Sequence, residues 1–231
     1  MTRTSVVIPA FNEEGTIEWI LTELDRVLED FEAIVVNDGS SDQTSKVAAA
    51  CADRIGGELR VIEQPRNMGK GAAVRRGIAE SVGEVVCIQD ADLEYQPDDL
   101  PNLLQPVLDG RADVVYGTRF RGSGTMQMHR FTNLIANRLL SLMTNVLFNT
   151  TVSDMETGYK VFRGDLVRSF DLVSDDFRIE PELTARVLKT AEVVFWERPI
   201  SYFARTGKQG KKIGWTDGLL AIWALFVFRF K

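Results

Sequence analysis

Val85-Val86-Cys87-Ile88-Gln89-Asp90-Ala91-Asp92-Leu93-Glu94 passes from an unbroken apolar run to three carboxylates. Consecutive apolar residues of this kind suit a strand covered on both faces, as in a parallel sheet. A strand that ends in acids delivers them to the carboxyl edge of the sheet, where open α/β sheets bind their ligands. The same alternation repeats outward from this stretch. Ser5 to Ile8, Ala33 to Val36, Leu59 to Ile62 and Val114 to Tyr116 are further predicted strands, with helices around 14–29, 42–53, 70–81 and 98–108. Alternating strands and helices specify a doubly wound α/β sheet. Polar clusters follow the first two strands as well: Pro9-Ala10-Phe11-Asn12-Glu13 and Asn37-Asp38-Gly39-Ser40-Ser41-Asp42. Three strand ends carrying acids predict one shared site.

The 231 residues suffice for one ordinary domain with a short appendage, and a 45% hydrophobic, 26% charged composition is that of a globular chain. A formal net charge of −6 argues against a dedicated nucleic-acid binder. Cys51 and Cys87 lack metal-type spacing and read as reduced core residues. The start of the sequence lacks the basic-then-apolar pattern of a signal peptide, so a cytosolic compartment is expected.

The charge is uneven. From Arg205 onward, Arg205, Lys208, Lys211, Lys212, Arg229 and Lys231 stand against Asp217 alone, which predicts an anionic partner at that end. Residues 120–215 are less regular: a Gly-rich loop at 122–125, a helix from Phe131 to Phe148, a strand near Val193 to Phe195, and a basic loop at 206–212. The expected organisation is a domain over 1–213 and an amphipathic helix over 214–231. The apolar run Leu219 to Phe228 is ten residues, about half of the roughly 20 needed to cross a bilayer. Its tryptophans and flanking cations suit a helix lying in the membrane interface. A helix docked on the domain, and a piece of a longer membrane protein, are the alternatives.

Asp90, Asp92 and Glu94 offer oxygen ligands at the density that suits Mg²⁺ or Mn²⁺ bridging a diphosphate. An Asp-x-Asp pair alone often only decorates a solvated loop; its place after a buried strand raises its weight. Helix capping by Ser40, Ser41 or Asp42 explains much of the second loop but does not require the acid at Asp38, which could hydrogen-bond a nucleobase or ribose. Asn67-Met68-Gly69-Lys70-Gly71 opens a helix at a spacing that fits neither the P-loop nor the dinucleotide fingerprint. Its glycines are expected to cap the helix and pack it on the sheet, with donor contact second. His129, the only histidine, has no visible partner and reads as a surface residue.

In order, Val6 to Glu14, Val36 to Asp42, Asn67-x-Gly69 and Asp90-Ala91-Asp92 resemble the family 2 inverting glycosyltransferases of the GT-A fold, a Rossmann-like doubly wound mixed sheet flanked by helices. Within them the chain is most similar to the dolichol-phosphate mannose synthase group. The similarity continues through Gly117-Thr118-Arg119, Ser153 to Lys160 and the Arg205-to-Lys211 loop, and so covers almost the whole chain. The resemblance implies that Pro9, Phe11, Glu13, Val36 and Asp38 hold the nucleoside of a nucleotide-sugar donor, and that Asp90, Ala91 and Asp92 contact that donor. It assigns the metal, Mg²⁺ or Mn²⁺, to Asp92 and Glu94, although some relatives carry Gln at the latter position. Arg119, Arg205 and Lys211 would engage phosphates, with Arg205 and Lys211 closing over the donor.

The leading expectation is therefore an enzyme that moves a hexose, from a GDP-mannose or UDP-glucose type of donor, to a polyprenyl phosphate at the cytosolic face of a membrane. An anionic acceptor needs positioning more than a base; Arg119 is the first choice for that contact and Arg130 the second, giving Asp92, Arg119 and Arg130 as catalytic candidates. An alcohol acceptor would need a carboxylate base, which the sequence does not single out; Glu180 and Glu182 are candidates. Rival readings are a glycosyltransferase with a soluble acceptor, a silent nucleotide-sugar-binding module, and, more distantly, a nucleotidyltransferase.

Overall fold

The computed structural model describes residues 3–122, 131–204 and 215–230, the side chains of 215–217 and 219 excepted. The strands are β1 (Thr4–Ala10), β2 (Phe31–Asn37), β3 (Glu58–Glu63), β4 (Val85–Ile88), β5 (Val114–Thr118), β6 (Lys160–Arg163) and β7 (Phe195–Pro199). They form one sheet in the order β3-β2-β1-β4-β6-β5-β7. β6 pairs antiparallel with both β4 and β5, and the remaining ladders are parallel. Crossovers are α1 (Ile17–Val27), α2 (Thr44–Ala49), α3 (Lys70–Glu80) and α4 (Leu100–Leu108). They are followed by α5 (Phe131–Phe148), α6 (Gly164–Arg168), α7 (Ile179–Lys189) and α8 (Trp215–Phe230).

Alternate strand residues face opposite layers, as the two-residue period requires. Val6, Ile8, Val35, Cys87 and Val161 pack with Ile20 and Leu24 of α1 and Leu103 of α4. Val7, Val86, Ile88, Tyr116 and Phe162 pack with Val74 of α3 and Ile179, Leu183 and Val187 of α7. Burial on both faces explains why the predicted strands lack polar alternation, except Leu59–Ile62, which is half-buried at the sheet edge and carries Arg60. Cys51 and Cys87 are both buried and free, and burial pushes the Cys87 thiol up to about 12.

Register brings the strand ends together. Pro9 lies beside Val36, Val7 beside Ile88, and Lys160 pairs with both Ile88 and Tyr116. The amino end of β6 therefore meets the carboxyl ends of β4 and β5. The sequence reading passes over β6, whose four residues begin with a lysine, and over α6 and α7. In α7, Pro181 resembles a break yet sits in the first turn, where proline is tolerated. The strand expected near Val193 to Phe195 lies at Phe195–Pro199 instead.

A smaller cluster of Leu140, Val152, Met155, Ala221 and Leu225 joins α5 to α8. Residues 215–230 do form the expected C-terminal helix, but α8 is apolar around much of its circumference: Ala221, Ala224 and Leu225 are buried while Leu220, Trp223, Phe226 and Phe230 are exposed. Among the described residues no helix is long and apolar enough to cross a membrane.

Candidate active site

The first two strand ends are stitched together. Asn12, at φ 55°, accepts the Ser41 N–H at 2.9 Å, and its own N–H reaches Ser40 Oγ. The N–H of Glu13, a buried residue, donates to the Thr44 hydroxyl at 2.8 Å, and Thr16 Oγ1 donates to its carboxylate. Asp42 accepts the Thr44 N–H at 3.0 Å, although the N-cap position of α2 falls on Gln43, which makes no side-chain cap bond, rather than on the expected Ser40, Ser41 or Asp42. Pro9 and Phe11 are half-buried beside this seam, and Val36 is fully buried beneath it.

Asp38 is buried, and its carboxylate accepts the N–H groups of Met68 and Gly69 at 2.7 and 2.9 Å and the Gln64 amide at 3.0 Å. It thus fastens the Asn67-to-Gly71 turn to the end of β2. That turn needs glycine at Gly69, where φ is +99° and a Cβ would lie 2.3 Å from the Asp175 carbonyl. The close packing expected against the sheet is at this position made against the 174–176 backbone instead.

Lys70, the first residue of α3, links two acids: its Nζ lies 2.8 Å from Asp90 Oδ1 and 3.0 Å from Glu180 Oε1. Glu180 also pairs with the fully buried Lys160. Burial alone would discharge Lys70, but Asp90 and Glu180 hold its pKa well above the usual lysine range. Burial likewise opposes the charge on Glu180, and Lys160 and Lys70 more than offset it, leaving its pKa below the usual value. Glu182 accepts the N–H groups of Val173 and Ser174 at 2.9 and 2.7 Å. Neither glutamate is placed as a base, because each serves to hold neighbouring structure.

Ala91 is buried, and Asp92 and Glu94 lie half-buried on the turn after β4. Asp92 accepts the Glu94 N–H at 3.0 Å, and Glu94 accepts the Tyr202 hydroxyl at 2.9 Å. Among the described residues no group of three His, Cys, Asp or Glu side chains could enclose a metal. Two carboxylates on one turn nonetheless fit Mg²⁺ or Mn²⁺, which commonly takes one or two protein oxygens and completes its shell with phosphates and water.

Across the site, Arg119 and Asp154 form a buried two-pronged pair, with Nε and Nη2 each 2.7 Å from a carboxylate oxygen. The guanidinium also lies over Tyr202, 5.0 Å from the ring centroid. Glu197 accepts the N–H groups of Ser153 and Asp154, and Tyr95 Oη accepts the Gly158 N–H at 2.9 Å. A side chain at Gly158 would reach within 2.5 Å of Asp90, so the 153–158 segment presses directly on the acidic turn. Tyr202 thereby joins Glu94 to Arg119, and Lys70 joins Asp90 to the buried acids below.

Arg130, Arg205 and Lys211, together with His129, lie outside the described residues. Lys70, Tyr95, Tyr202, Glu156 and the pairing of Glu180 with Lys160 were not singled out from sequence as parts of a site. Lys70 alone carried a usable signal, a cation inside a motif otherwise explained by its glycines.

Comparison with known proteins gives the family and the fold. The family model described as glycosyl transferase family 2 matches residues 5–170. A low-salt glycan biosynthesis hexosyltransferase of Haloferax volcanii is 31% identical over 212 residues, 88% of this chain and 48% of that protein. A dodecaprenyl-phosphate galacturonate synthase of Rhizobium johnstonii is 26% identical over 87% of this chain and 59% of its own. A dolichol-phosphate mannosyltransferase of Pyrococcus furiosus is 26% identical over 93% of this chain and 60% of its own. The chain thus spans about half to three-fifths of the length of these relatives. Among solved structures, glucosyl-3-phosphoglycerate synthase of Mycobacterium tuberculosis, crystallised with Mn²⁺, uridine diphosphate and glucosyl-3-phosphoglycerate, superposes with a TM-score of 0.76. That match, at 23% identity, covers 98% of this chain and 80% of the other, and shows that the two share a fold.

Proposed function

Because the chain belongs to glycosyl transferase family 2, a family of enzymes, we propose that it transfers a hexose from a nucleotide-sugar of the GDP-mannose or UDP-glucose type to a polyprenyl phosphate, with inversion at the sugar carbon. The observation that carries this reading is the convergence of the Asp90-to-Glu94 turn with Arg119 through Tyr202. One side of that convergence is acidic, suited to a donor diphosphate that brings its own cation; the other is a held guanidinium, suited to an anionic acceptor. The relatives' names, a galacturonate synthase and a mannosyltransferase each acting on a polyprenyl-type phosphate, favour the lipid acceptor.

In this reading Pro9, Phe11, Glu13, Val36 and Asp38 shape the nucleoside pocket, Asp38 by fixing the turn at Met68 and Gly69. Asp90, neutralised by Lys70, and Ala91 line the donor sugar and ribose. Asp92 and Glu94 would hold Mg²⁺ or Mn²⁺, which would supply positive charge to the departing diphosphate. Arg119, kept in one orientation by Asp154, meets the acceptor phosphate, assisted by Arg130. Arg205 and Lys211 close over the donor. The acceptor oxygen forms its bond to the sugar carbon as the bond to the nucleoside diphosphate breaks on the opposite face, and the electron pair leaves with the diphosphate.

Residues 1–213 form the transferase domain and 214–231 the lipid-contacting helix. The exposed apolar residues of α5, Phe131, Ile135, Leu139, Leu142 and Val146, recur at helical spacing beside Leu220, Trp223, Phe226 and Phe230 of α8. Leu142, Val146 and Phe226 line a shared groove. Two adjoining apolar stripes of this extent suit a membrane interface, the place where a polyprenyl phosphate resides.

The test is a panel of radiolabelled nucleotide-sugars with polyprenyl phosphate and Mn²⁺, partitioned between butanol and water. We expect organic-phase product from one donor, lost in excess chelator and lowered about 10²- to 10³-fold by Asp92→Ala, the scale of removing a transition-state electrostatic contact. Product confined to water overturns the lipid acceptor, and full turnover in chelator overturns the metal.

A further inference from the structure

The carboxylates around Arg119 and Asp90 are matched to donors with one exception. Asp154 has Arg119, Glu180 has Lys70 and Lys160, and Glu182 and Glu197 have backbone N–H groups. At Glu156, Oε1 is enclosed and has no hydrogen-bond partner among the described residues, and the same holds for Oγ1 of the fully buried Thr157 beside it. An unpaired buried polar atom loses its hydration without a replacement bond, so two in succession call for a partner that arrives from outside. They lie two residues from the Asp154 grip on Arg119 and one residue from Gly158, which touches Asp90. This is the ground between the proposed acceptor cation and the proposed donor turn.

We propose that the Glu156 carboxyl, in its neutral form, and the Thr157 hydroxyl are a hydrogen-bonding pair that receives an anionic oxygen of the acceptor. The inference rests on the anionic acceptor proposed above. The charged groups that face Glu156 are Glu180 from α7, Lys160 from β6, Arg119 from beyond β5 and Asp154 from its own segment. Burial first, and then Glu180, push its pKa up to about 7 against the opposing pull of Lys160 and Arg119. Near neutral pH it can therefore carry the proton that a dianion needs to find. A carboxyl held neutral to donate a hydrogen bond is a known device of buried sites.

The test reads acceptor KM separately from kcat in the full chain with polyprenyl phosphate. Glu156→Ala should raise acceptor KM about tenfold or more, the scale of a hydrogen bond to a charged group, with kcat and donor KM within about threefold. Glu156→Gln, which keeps a neutral donor, should restore acceptor KM to within about threefold at pH 6.5. In the wild type kcat/KM for the acceptor should fall as pH rises through about 7, because ionisation removes the donor and adds repulsion. Glu156→Gln should abolish that alkaline fall. Organic-phase product from the wild type with acceptor KM unmoved in Glu156→Ala, or an alkaline fall that persists in Glu156→Gln, overturns this inference alone. No organic-phase product from the wild type overturns the acceptor reading and this inference with it.

Discussion

The seam between the loops after β1 and β2 and the seam between Arg119 and residues 153–160 solve the same problem in different ways. In the first, Asn12, Glu13, Ser41 and Thr44 are joined mainly through backbone N–H groups and hydroxyls. In the second, charges buried beneath the surface meet across long stretches of chain, Arg119 with Asp154 and Lys160 with Glu180. Neutral contacts fail gradually, whereas a buried pair that loses one member leaves a bare charge. The seam between the first two loops should therefore tolerate substitution better than the seam around Arg119.

The largest expected effect is at Asp154. Replacing it with alanine strands the Arg119 guanidinium, whose side chain is 8% exposed, and should cost about 3–5 kcal/mol in urea unfolding. An Asp154→Ala loss below about 1 kcal/mol would break the contrast. Thr44→Ala, on the neutral seam, removes the acceptor of the Glu13 N–H and should cost about 1–3 kcal/mol. The smallest effect sharpens the contrast by sign. A glutamate whose folded pKa is raised contributes nothing unfavourable below its unfolded value near 4.3 and weakens the fold as pH climbs toward about 7. Glu156→Gln should therefore melt about 2–4 °C higher than wild type at pH 8, with the gap closing by pH 4; an equal gap at both pH values would show that ionisation is not the cause.

Legibility in the sequence follows the same division. Four of the six predicted strands come from continuous Val- and Ile-rich runs whose burial on both faces is local information, and the Asp90-to-Glu94 turn could be placed because it follows such a run directly. The paired side of the site rests on contacts that only the folded sheet creates. Lys160 heads a four-residue strand, and nothing near it in sequence signals that it meets Glu180. Asp154 belongs to the Ser153-to-Lys160 stretch of the family resemblance, and its grip on Arg119 is made across 35 residues of chain. The glutamates offered as bases, Glu180 and Glu182, were acidic residues on an unrecognised helix, and their partners lie on α3, β6 and the 173–174 backbone.

The reversed direction of β6 has an evolutionary consequence. Since it runs against its neighbours, the stretch at 149–159 that leads from the end of α5 arrives at the carboxyl ends of β4 and β5, where a ladder with both strands fixes it. Such a segment is free to change only at positions that neither grip Arg119 nor press on Asp90, and a change there leaves the register of the parallel strands in place. Under the function proposed above, a lineage could retune its acceptor at those positions while inheriting its sugar-nucleotide half unaltered.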